Sequence, residues 1–298
     1  MTALQVSVVI PVYNRKAEVE ECLKSVLAQS VAVGAPVEIL CVDNGSTDGT
    51  REALERWPVR VVDCVVRGVS AARNTGLRAA VGDIVAMIDS DCVAAEGWLG
   101  RLVEPFSDPE VLAAGGRIEA YHVECGPALW AASYKVLDQE RFFRGEYLWP
   151  PFFATANAAF RREALMRIGG FDESLRAGED ADAVWRLLDL GGRLAYCPEA
   201  LVRHRHRETV ADFYAQSRGY GAACVDVFAR YRERFGVRGV IHWDSVRALA
   251  TLPWRIAWFA LFGPTPWERR KRVYEAVWRT GFTLAAVQRC IERRVLYL

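Results

Sequence analysis

The sequence predicts an α/β fold in which a mostly parallel sheet is flanked by helices. Two observations lead to this prediction. Runs of β-branched and other apolar residues alternate with segments of helical periodicity in the N-terminal part of the chain. Each run is continuously apolar, as a strand covered by helices on both faces requires. This alternation favours parallel strands that are joined by right-handed crossovers.

The elements of the sheet are predicted in order along the chain. Strands are expected at 6–10, 37–42, 59–66 and 84–88, and helices at 47–57 and 70–80. The helix after the first strand carries its apolar residues on one side, namely Val19, Leu23, Val26 and Leu27. The second and fourth strands end in polar residues. In open α/β sheets, ligands bind beyond the carboxyl ends of the strands.

The later part of the chain is predicted to be mainly helical. Helices are expected at 129–143, 161–168 and 181–190, with an aromatic loop at 149–153. The segment from Thr209 to Asp212 has the form of a capping box and opens a helix towards Phe235. These patterns predict an α/β domain at 1–207 and a helical C-terminal region at 208–298.

Composition and charge restrict the kind of protein. The chain has 298 residues, of which 52% are hydrophobic and 25% are charged, and this excludes a disordered chain. The net charge of +1 argues against a protein that binds nucleic acid with its whole surface. The eight cysteines have no C-x-x-C spacing, which is typical of reduced, buried thiols in the cytosol. We expect neither a signal peptide nor a membrane-spanning helix.

Two carboxylates, Asp89 and Asp91, follow the predicted strand at 84–88, with Ser90 between them. Such a pair can be two solvated acids in a loop, but just past a buried strand both can face one hard cation. Mg²⁺ and Mn²⁺ are held by few carboxylates together with phosphate oxygens of a substrate. The pattern indicates a metal that offsets charge on a leaving nucleoside diphosphate.

Other polar residues allow both a functional and a structural interpretation. Asp43 can accept a hydrogen bond from a nucleobase or belong to an ordinary turn. Arg73 can reach a diphosphate or form a surface ion pair. Glu179 and Asp180 open a helix, where acids suit the helix dipole, and one of them can serve as a general base.

Two histidines, His204 and His206, lie among arginines near the end of the α/β domain. Neighbouring cations favour neutral imidazoles, which can bind a metal. Two solvated histidines would give the same pattern.

Taken together, these segments resemble the family 2 glycosyltransferases of the GT-A fold, from Val6 to about His206. Each motif is weak alone, whereas the whole set in this order is specific. The motifs are V-S-V-V-I-P-V-Y-N, V-D-N-G-S-T-D-G-T, G-V-S-A-A-R-N-T-G, D-S-D, A-N-A-A-F-R-R-E-A-L with G-G-F-D-E, G-E-D-A-D-A-V-W-R-L, and V-R-H-R-H-R.

The resemblance implies a role for each matching residue. Asp180 would be the catalytic base, oriented by Glu179. The metal, Mn²⁺ or Mg²⁺, would be bound by Asp89, Asp91 and His204, with His206 as the alternative histidine. Asp43 would contact the base, and Gly68 and Arg73 would lie beside the ribose and diphosphate. The full nucleotide site would comprise Pro11, Val12, Tyr13, Asn14, Asp43, Gly68, Arg73, Asp89, Ser90 and Asp91.

The reaction that the resemblance implies is an inverting transfer from a nucleotide diphosphate sugar to a hydroxyl group. Uridine is the first expectation for the base, and a glycan or lipid-linked molecule for the acceptor. Residues 153–157 and Trp149 would border the acceptor. Thr155 stands where the family pattern leads us to expect glycine, so this chain departs from the pattern on the acceptor side.

The C-terminal region predicts a basic amphipathic helix next to an aromatic segment at 249–262. Such a helix favours peripheral contact with an anionic membrane surface, here the inner face of the cell membrane, with the protein in the cytoplasm. Packing on the α/β domain or a dimer contact would give the same pattern. The apolar side of this predicted helix comprises Val273, Val277, Leu284, Val287, Ile291 and Val295.

Three alternatives fit parts of the sequence. A sugar nucleotidyltransferase would carry a glycine-rich loop with Lys or Arg after the first strand, where this chain has residues 11–14. A non-catalytic homologue that binds a nucleotide sugar would be favoured by loss of Asp91 or Asp180, and both are present. A nucleic-acid binder would use the C-terminal arginines, but we expect no nucleic-acid partner.

Overall fold

The computed structural model describes residues 4–30, 37–124, 126–145, 150–234, 236, 239, 254 and 265–297. The strands are β1 (Val6–Val12), β2 (Val37–Asp43), β3 (Arg60–Asp63), β4 (Ile84–Ile88), β5 (Cys92–Ala94), β6 (Val111–Tyr121), β7 (Asn157–Arg161) and β8 (Arg193–Arg205). The helices are α1 (Lys16–Ser30), α2 (Thr50–Leu54), α3 (Val69–Ala79), α4 (Trp98–Val103), α5 (Gly126–Ser133), α6 (Gln139–Arg144), α7 (Arg162–Arg167), α8 (Glu179–Leu188), α9 (Val210–Tyr231) and α10 (Pro266–Arg293).

The strands of the described chain form one sheet with the order β3-β2-β1-β4-β7-β6-β8-β5. The first four strands pair in parallel, as the alternation of elements predicts. β7 runs antiparallel to both of its neighbours, β6 and β8 are parallel, and β5 is antiparallel to β8. The predicted α/β class with a mostly parallel sheet is therefore confirmed.

The centre of the sheet is buried because its strands are apolar on both faces. All residues of β1 and of β4 are buried. On α1, the predicted inner residues Val19, Leu23 and Val26 are fully buried against this core. The continuous apolar runs of the sequence thus mark the middle of the sheet, and their carboxyl ends share one edge.

Two predicted elements are shorter than expected. The helix predicted at 47–57 extends only over Thr50–Leu54, because Gly49 precedes it with a left-handed φ of 86° and Asp48 accepts from the Thr50 N–H. The strand predicted at 59–66 extends only over Arg60–Asp63, at the edge of the sheet.

The helix predicted at 129–143 is wrong as a single element. Lys135 has a φ of 49°, a left-handed conformation that a helix does not contain. Asp138 then caps a new helix by accepting from the Arg141 N–H. The segment therefore forms α5 and α6 instead of one helix.

Besides the three-residue β5, three longer strands that were not predicted from the sequence complete the sheet: β6, β7 and β8. Their sequences are rich in Ala, Gly and charged residues, so no apolar run marks them. In β6, a Cβ at Gly115 would lie 2.1 Å from Phe153 Cδ1, and one at Gly116 would lie 2.1 Å from Ala200 O. The small residues are required because neighbouring segments pack directly on the strand.

The described chain divides into two compact units. Unit 1 comprises Met1–Tyr121, Leu137–Ser174 and Glu179–Arg205, and it contains the whole sheet. Unit 2 comprises His122–Val136, Leu175–Gly178 and His206–Leu298, and it contains α5, α9 and α10. Two segments of unit 2 thus precede residue 207, where the sequence predicts a boundary.

In unit 2, α9 begins where the capping box predicts, since Thr209 accepts from the Asp212 N–H. The helices α9 and α10 approach closely: a Cβ at Gly221 would lie 2.1 Å from Phe282 O. The predicted apolar side of α10 is wrong at Leu284, which is 47% exposed, and at Ile291, which is 74% exposed. Small side chains form the buried side instead, namely Gly281, Thr283, Ala285, Ala286 and Cys290.

Within the described ranges, none of the helices combines the length and the apolar character that crossing a bilayer demands. The aromatic segment at 249–262 lies outside the described residues except for Trp254.

Replacing Gly116 by alanine is expected to destabilise the protein by about 1–3 kcal/mol, because the new methyl group would meet Ala200 O and the Asn157 side chain. Gly100→Ala in α4 is the matched control, since nothing lies within 4 Å of its Cβ position. Helical alanine is expected to stabilise at that position by about 0.5–1 kcal/mol. Urea unfolding of both variants measures the difference, and equal stabilities would contradict the close packing inferred for β6.

Candidate functional site

The candidate site lies where the strands of unit 1 end and the loops after β1, β2 and β4 meet. Asn44 joins the loops after β1, β2 and β3. Its backbone N–H donates to Val12 O, and its Nδ2 donates to Cys64 O at 3.1 Å and Val66 O at 2.6 Å. Its Oδ1 accepts from the Gly68 N–H at 2.9 Å. Nothing in the sequence indicated this role of Asn44, because contacts between distant loops leave no local signal.

The first loop presents an aromatic ring to solvent. Tyr13 is 50% exposed, and the Arg67 guanidinium lies over its ring at 4.5 Å from the centroid. Arg67 is held in this position because its Nη1 donates to Asn44 O at 2.7 Å. Asp43 is buried nearby and accepts from the Ser46 N–H at 3.0 Å. Among the residues predicted to bind the nucleotide, Tyr13 and Asp43 are thus brought to the same edge of the sheet.

A buried arginine joins two acids from distant parts of the sequence. Arg73, in α3, donates from Nη2 to Asp89 Oδ1 at 3.0 Å and from Nη1 to Glu179 Oε1 at 2.6 Å. Its side chain is 5% exposed. Both hydrogen-bonded nitrogens therefore face carboxylates of the protein. The predicted contact of Arg73 with a diphosphate stays a prediction, and the sequence analysis did not foresee its link to Glu179.

Asp180 follows Glu179 in the first turn of α8. Desolvation by burial, followed by the charge of Glu179, raises the pKa of Asp180 to about 7, and the charge of Arg73 opposes this increase. The Ala181 N–H donates to its Oδ1 at 2.8 Å. A carboxylate with this pKa suits general base catalysis at neutral pH.

A second cluster contains the residues that could bind a metal. Among the described residues, the ligand atoms of Asp91, Cys92 and His204 all lie within 4.8 Å of one another, and all three residues are buried. Asp91 Oδ1 lies 3.6 Å from His204 Nε2. The cluster forms because Cys92 in β5 pairs with His204 in β8. It includes His204 and does not include His206.

The chemistry of this cluster fits a hard divalent cation. A carboxylate and an imidazole are ordinary ligands of Mn²⁺, and further positions can be filled by water or phosphate oxygens. Burial, followed by the charges of Asp91 and Asp89, raises the pKa of the Cys92 thiol well above its usual value, so the thiol stays protonated. Asp89 is not part of the cluster and instead pairs with Arg73. Its role as a metal ligand stays a prediction.

Arg15 is a charged residue beside this cluster that the sequence analysis missed. Its Nη2 lies 3.6 Å from Asp91 Oδ2, and its Nη1 lies 3.2 Å from Glu18 Oε1. Its backbone N–H donates to Thr50 Oγ1 at 2.9 Å, which fixes the start of α1. The available signal was a cation directly after the segment at 11–14.

Of the residues predicted to border the acceptor, the structure describes Asn157 but not Trp149. Asn157 is fully buried, accepts from Trp98 Nε1 at 2.8 Å and donates to Ala200 O at 2.8 Å. Its side chain therefore ties strands and helices of unit 1 together. Trp149 lies outside the described residues.

Comparisons with known proteins identify the family and the fold of this chain. A sequence model of "Glycosyl transferase family 2" matches residues 7–169. The pre-mycofactocin glycosyltransferase of Mycobacterium tuberculosis is 32% identical over 247 residues, which are 77% of this chain and 48% of that protein. This chain thus spans about half the length of that curated relative.

Two solved structures resemble the fold. A mannosyltransferase from Pyrobaculum calidifontis, in complex with GDP-Man and Mn²⁺, has a TM-score of 0.58 at 23% identity. The match covers 97% of this chain and 74% of the mannosyltransferase chain. Glucosyl-3-phosphoglycerate synthase from M. tuberculosis, in complex with Mn²⁺, UDP-glucose and phosphoglyceric acid, has a TM-score of 0.55 at 23% identity. This match covers 78% of this chain and 80% of the synthase chain. The fold is therefore of the GT-A type.

Arg73→Gln is expected to lower the free energy of unfolding by about 3–5 kcal/mol, because it leaves Glu179 and Asp89 without their buried cation. Arg60→Gln is the control, since it breaks an ion pair with Glu38 in which Arg60 is 54% exposed. That change is expected to cost less than about 1 kcal/mol. Chemical denaturation compares the two variants, and equal losses would show that the Arg73 contacts contribute no more than a surface pair.

Arg15→Gln is expected to tighten the binding of Mn²⁺ to the protein roughly three- to tenfold in the absence of nucleotide, because the variant removes a cation that competes for Asp91. Arg51→Gln removes an equal charge that pairs with Glu55 and Asp63 instead, and it serves as the control. Electron paramagnetic resonance of free Mn²⁺ measures both affinities. Equal affinities in the two variants would argue against competition by Arg15.

Proposed function

Because this chain belongs to glycosyltransferase family 2, we propose that it transfers a sugar from a nucleoside diphosphate donor to an acceptor hydroxyl with inversion at the anomeric carbon. The observation that carries the proposal is the arrangement of three functional groups in unit 1. Asp91 and His204, the proposed metal ligands, and Asp180, the proposed base with a pKa near 7, occur together with the Arg73 network that joins Asp89 to Glu179.

The donor is proposed to bind along the loops after β1, β2 and β3. Tyr13 and Arg67 supply an exposed ring and a cation, which suit a nucleoside and a phosphate. Asp43 is proposed to accept from the base, and the backbone at Gly68 to lie against the ribose. The solved structures of similar fold contain GDP-Man or UDP-glucose. We propose a nucleoside diphosphate sugar, with uridine as the first base to test.

A divalent cation, Mn²⁺ or Mg²⁺, is proposed to be held by Asp91 and His204, with Asp89 as a further ligand. When bound, it would offset the negative charge that develops on the leaving diphosphate. Both structures of similar fold described above contain Mn²⁺. Arg15 would then exchange its contact with Asp91 for the diphosphate.

Asp180 is proposed to accept the proton of the acceptor hydroxyl. The acceptor oxygen forms its bond to the anomeric carbon while the bond from that carbon to the diphosphate oxygen breaks, and the electron pair leaves with the diphosphate. Glu179 fixes the start of α8 through Arg73, which orients the base. This sequence of bond changes inverts the configuration of the sugar.

The acceptor is proposed to be a glycan or a lipid-linked molecule, and contact with a membrane surface is proposed for α10. Exposed Leu284 and Ile291 support such contact. The positive charge of the helix is partly balanced, because Arg289 and Arg293 both pair with Asp226. The membrane proposal therefore depends on the apolar side chains more than on charge.

The first experiment measures release of nucleoside diphosphate from UDP-, TDP- and GDP-sugars, with Mn²⁺ or Mg²⁺ and with membrane extract as the acceptor source. Turnover is expected to require metal and to fall by a factor on the order of 10²–10⁴ in Asp180→Asn and Asp91→Ala. Asp63→Asn is the control, since its side chain is 70% exposed at the edge of the sheet. Donor binding without turnover in the wild type would instead favour a non-catalytic homologue.

The rate of transfer is expected to rise with pH and to level off above about pH 7, because Asp180 must lose its proton to act as a base. Glu179→Gln removes a charge that raises the pKa of Asp180, so the acid limb of the profile should move to lower pH. Profiles of kcat/KM for both proteins test this. An acid limb that does not move would show that another group controls the rate.

A further inference from the structure

Unit 2 contains a cavity that the proposed reaction does not use. It lies between α5 and α10 and has a volume of about 290 Å³. Four aromatic side chains form most of its wall, namely Trp130, Tyr134, Trp278 and Phe282. Glu275, Arg279 and Thr283 add polar groups. A mostly apolar cavity with a few polar groups is the usual form of a small-molecule site.

The aromatic wall is fixed by ring-to-ring packing. Trp130 stacks on Tyr134 with ring centroids 4.5 Å apart and lies 5.4 Å from the ring of Trp278. Phe213 closes the other side of Trp130 in an edge contact at 5.2 Å. The rings therefore keep their positions without a ligand, and the cavity is preformed.

The polar part of the wall is also fixed. Arg279 Nη2 lies 2.9 Å from Glu275 Oε1, and the Tyr134 hydroxyl donates to Glu275 Oε2 at 3.0 Å. The Glu275 side chain is 15% exposed, so this carboxylate is held mostly out of water. A charged pair and an aromatic wall thus face the same space.

The chemistry of the wall decides between classes of ligand. A hydrocarbon chain would cover the Glu275–Arg279 pair and remove it from water without compensation. An inorganic anion would meet a carboxylate and the negative faces of aromatic rings. A sugar ring suits both parts of the wall, because its C–H face can pack on an indole while its hydroxyls bond to the Glu275–Arg279 pair.

We propose that the cavity formed by Trp130, Tyr134, Trp278 and Phe282, with Glu275 and Arg279, binds a single pyranose-sized sugar ring. Resting on the proposed function, we assign this ring to the acceptor glycan, which would be anchored in unit 2. The site would give this chain affinity for one sugar of the acceptor in addition to the sugar that receives the transfer.

The test is a binding titration with methyl glycosides of glucose, mannose, galactose, rhamnose and N-acetylglucosamine, without nucleotide or metal. Saturation-transfer NMR detects the contact, and quenching of tryptophan fluorescence gives the affinity. A free sugar of this size is expected to bind with a Kd on the order of 1 mM. Trp278→Leu is expected to weaken the binding at least tenfold because it removes a ring and keeps apolar bulk.

Trp254→Leu is the matched control, since that side chain is 81% exposed and does not line the cavity, and it should leave the affinity unchanged. If circular dichroism shows that Trp278→Leu does not fold, Arg279→Gln is used in its place, and it is expected to weaken sugar binding by the same factor. Binding of none of the glycosides, equal binding in the variants, or binding of dodecyl phosphate in their place would overturn the proposal. Donor turnover is measured separately, so either hypothesis can fail without the other.

Discussion

The buried Arg73 guanidinium is the interaction on which the rest of the site depends. It joins α3 to the end of β4 through Asp89 and to the start of α8 through Glu179. A buried cation between two acids is tolerated only when all of its partners are present. The same contacts therefore fix the geometry of three elements and set the charge around Asp180.

The two acids in adjacent positions of α8 differ in their contact with this cation. Glu179 bonds directly to Arg73 and serves as a structural anchor. Asp180 has no such bond to Arg73 among the hydrogen bonds found in the described residues, and burial together with the charge of Glu179 raises its pKa. Arg73 therefore anchors Glu179, whereas its charge lowers the pKa of Asp180; the raised pKa of the proposed base comes from burial and from the charge of Glu179.

The first half of the sheet could be predicted from sequence, and the second half could not. β1 and β4 are covered on both faces, so they require continuous apolar runs that are visible in the sequence. β6 and β8 use Ala, Gly and charged residues, which carry no strand pattern. At the site, Asp91 and His204 were predicted as a pair from a resemblance alone. Arg15 and Asn44 were missed, since they act through loops distant in sequence.

Because Cys92 pairs with His204, the cluster of Asp91, Cys92 and His204 can form only late in the synthesis of the chain. Asp91 leaves the ribosome long before His204, and β5 has no partner strand until β8 has been synthesised. A nascent or truncated chain that already contains the proposed donor loops therefore lacks this cluster. The proposed metal site would be complete only after His204 has been synthesised.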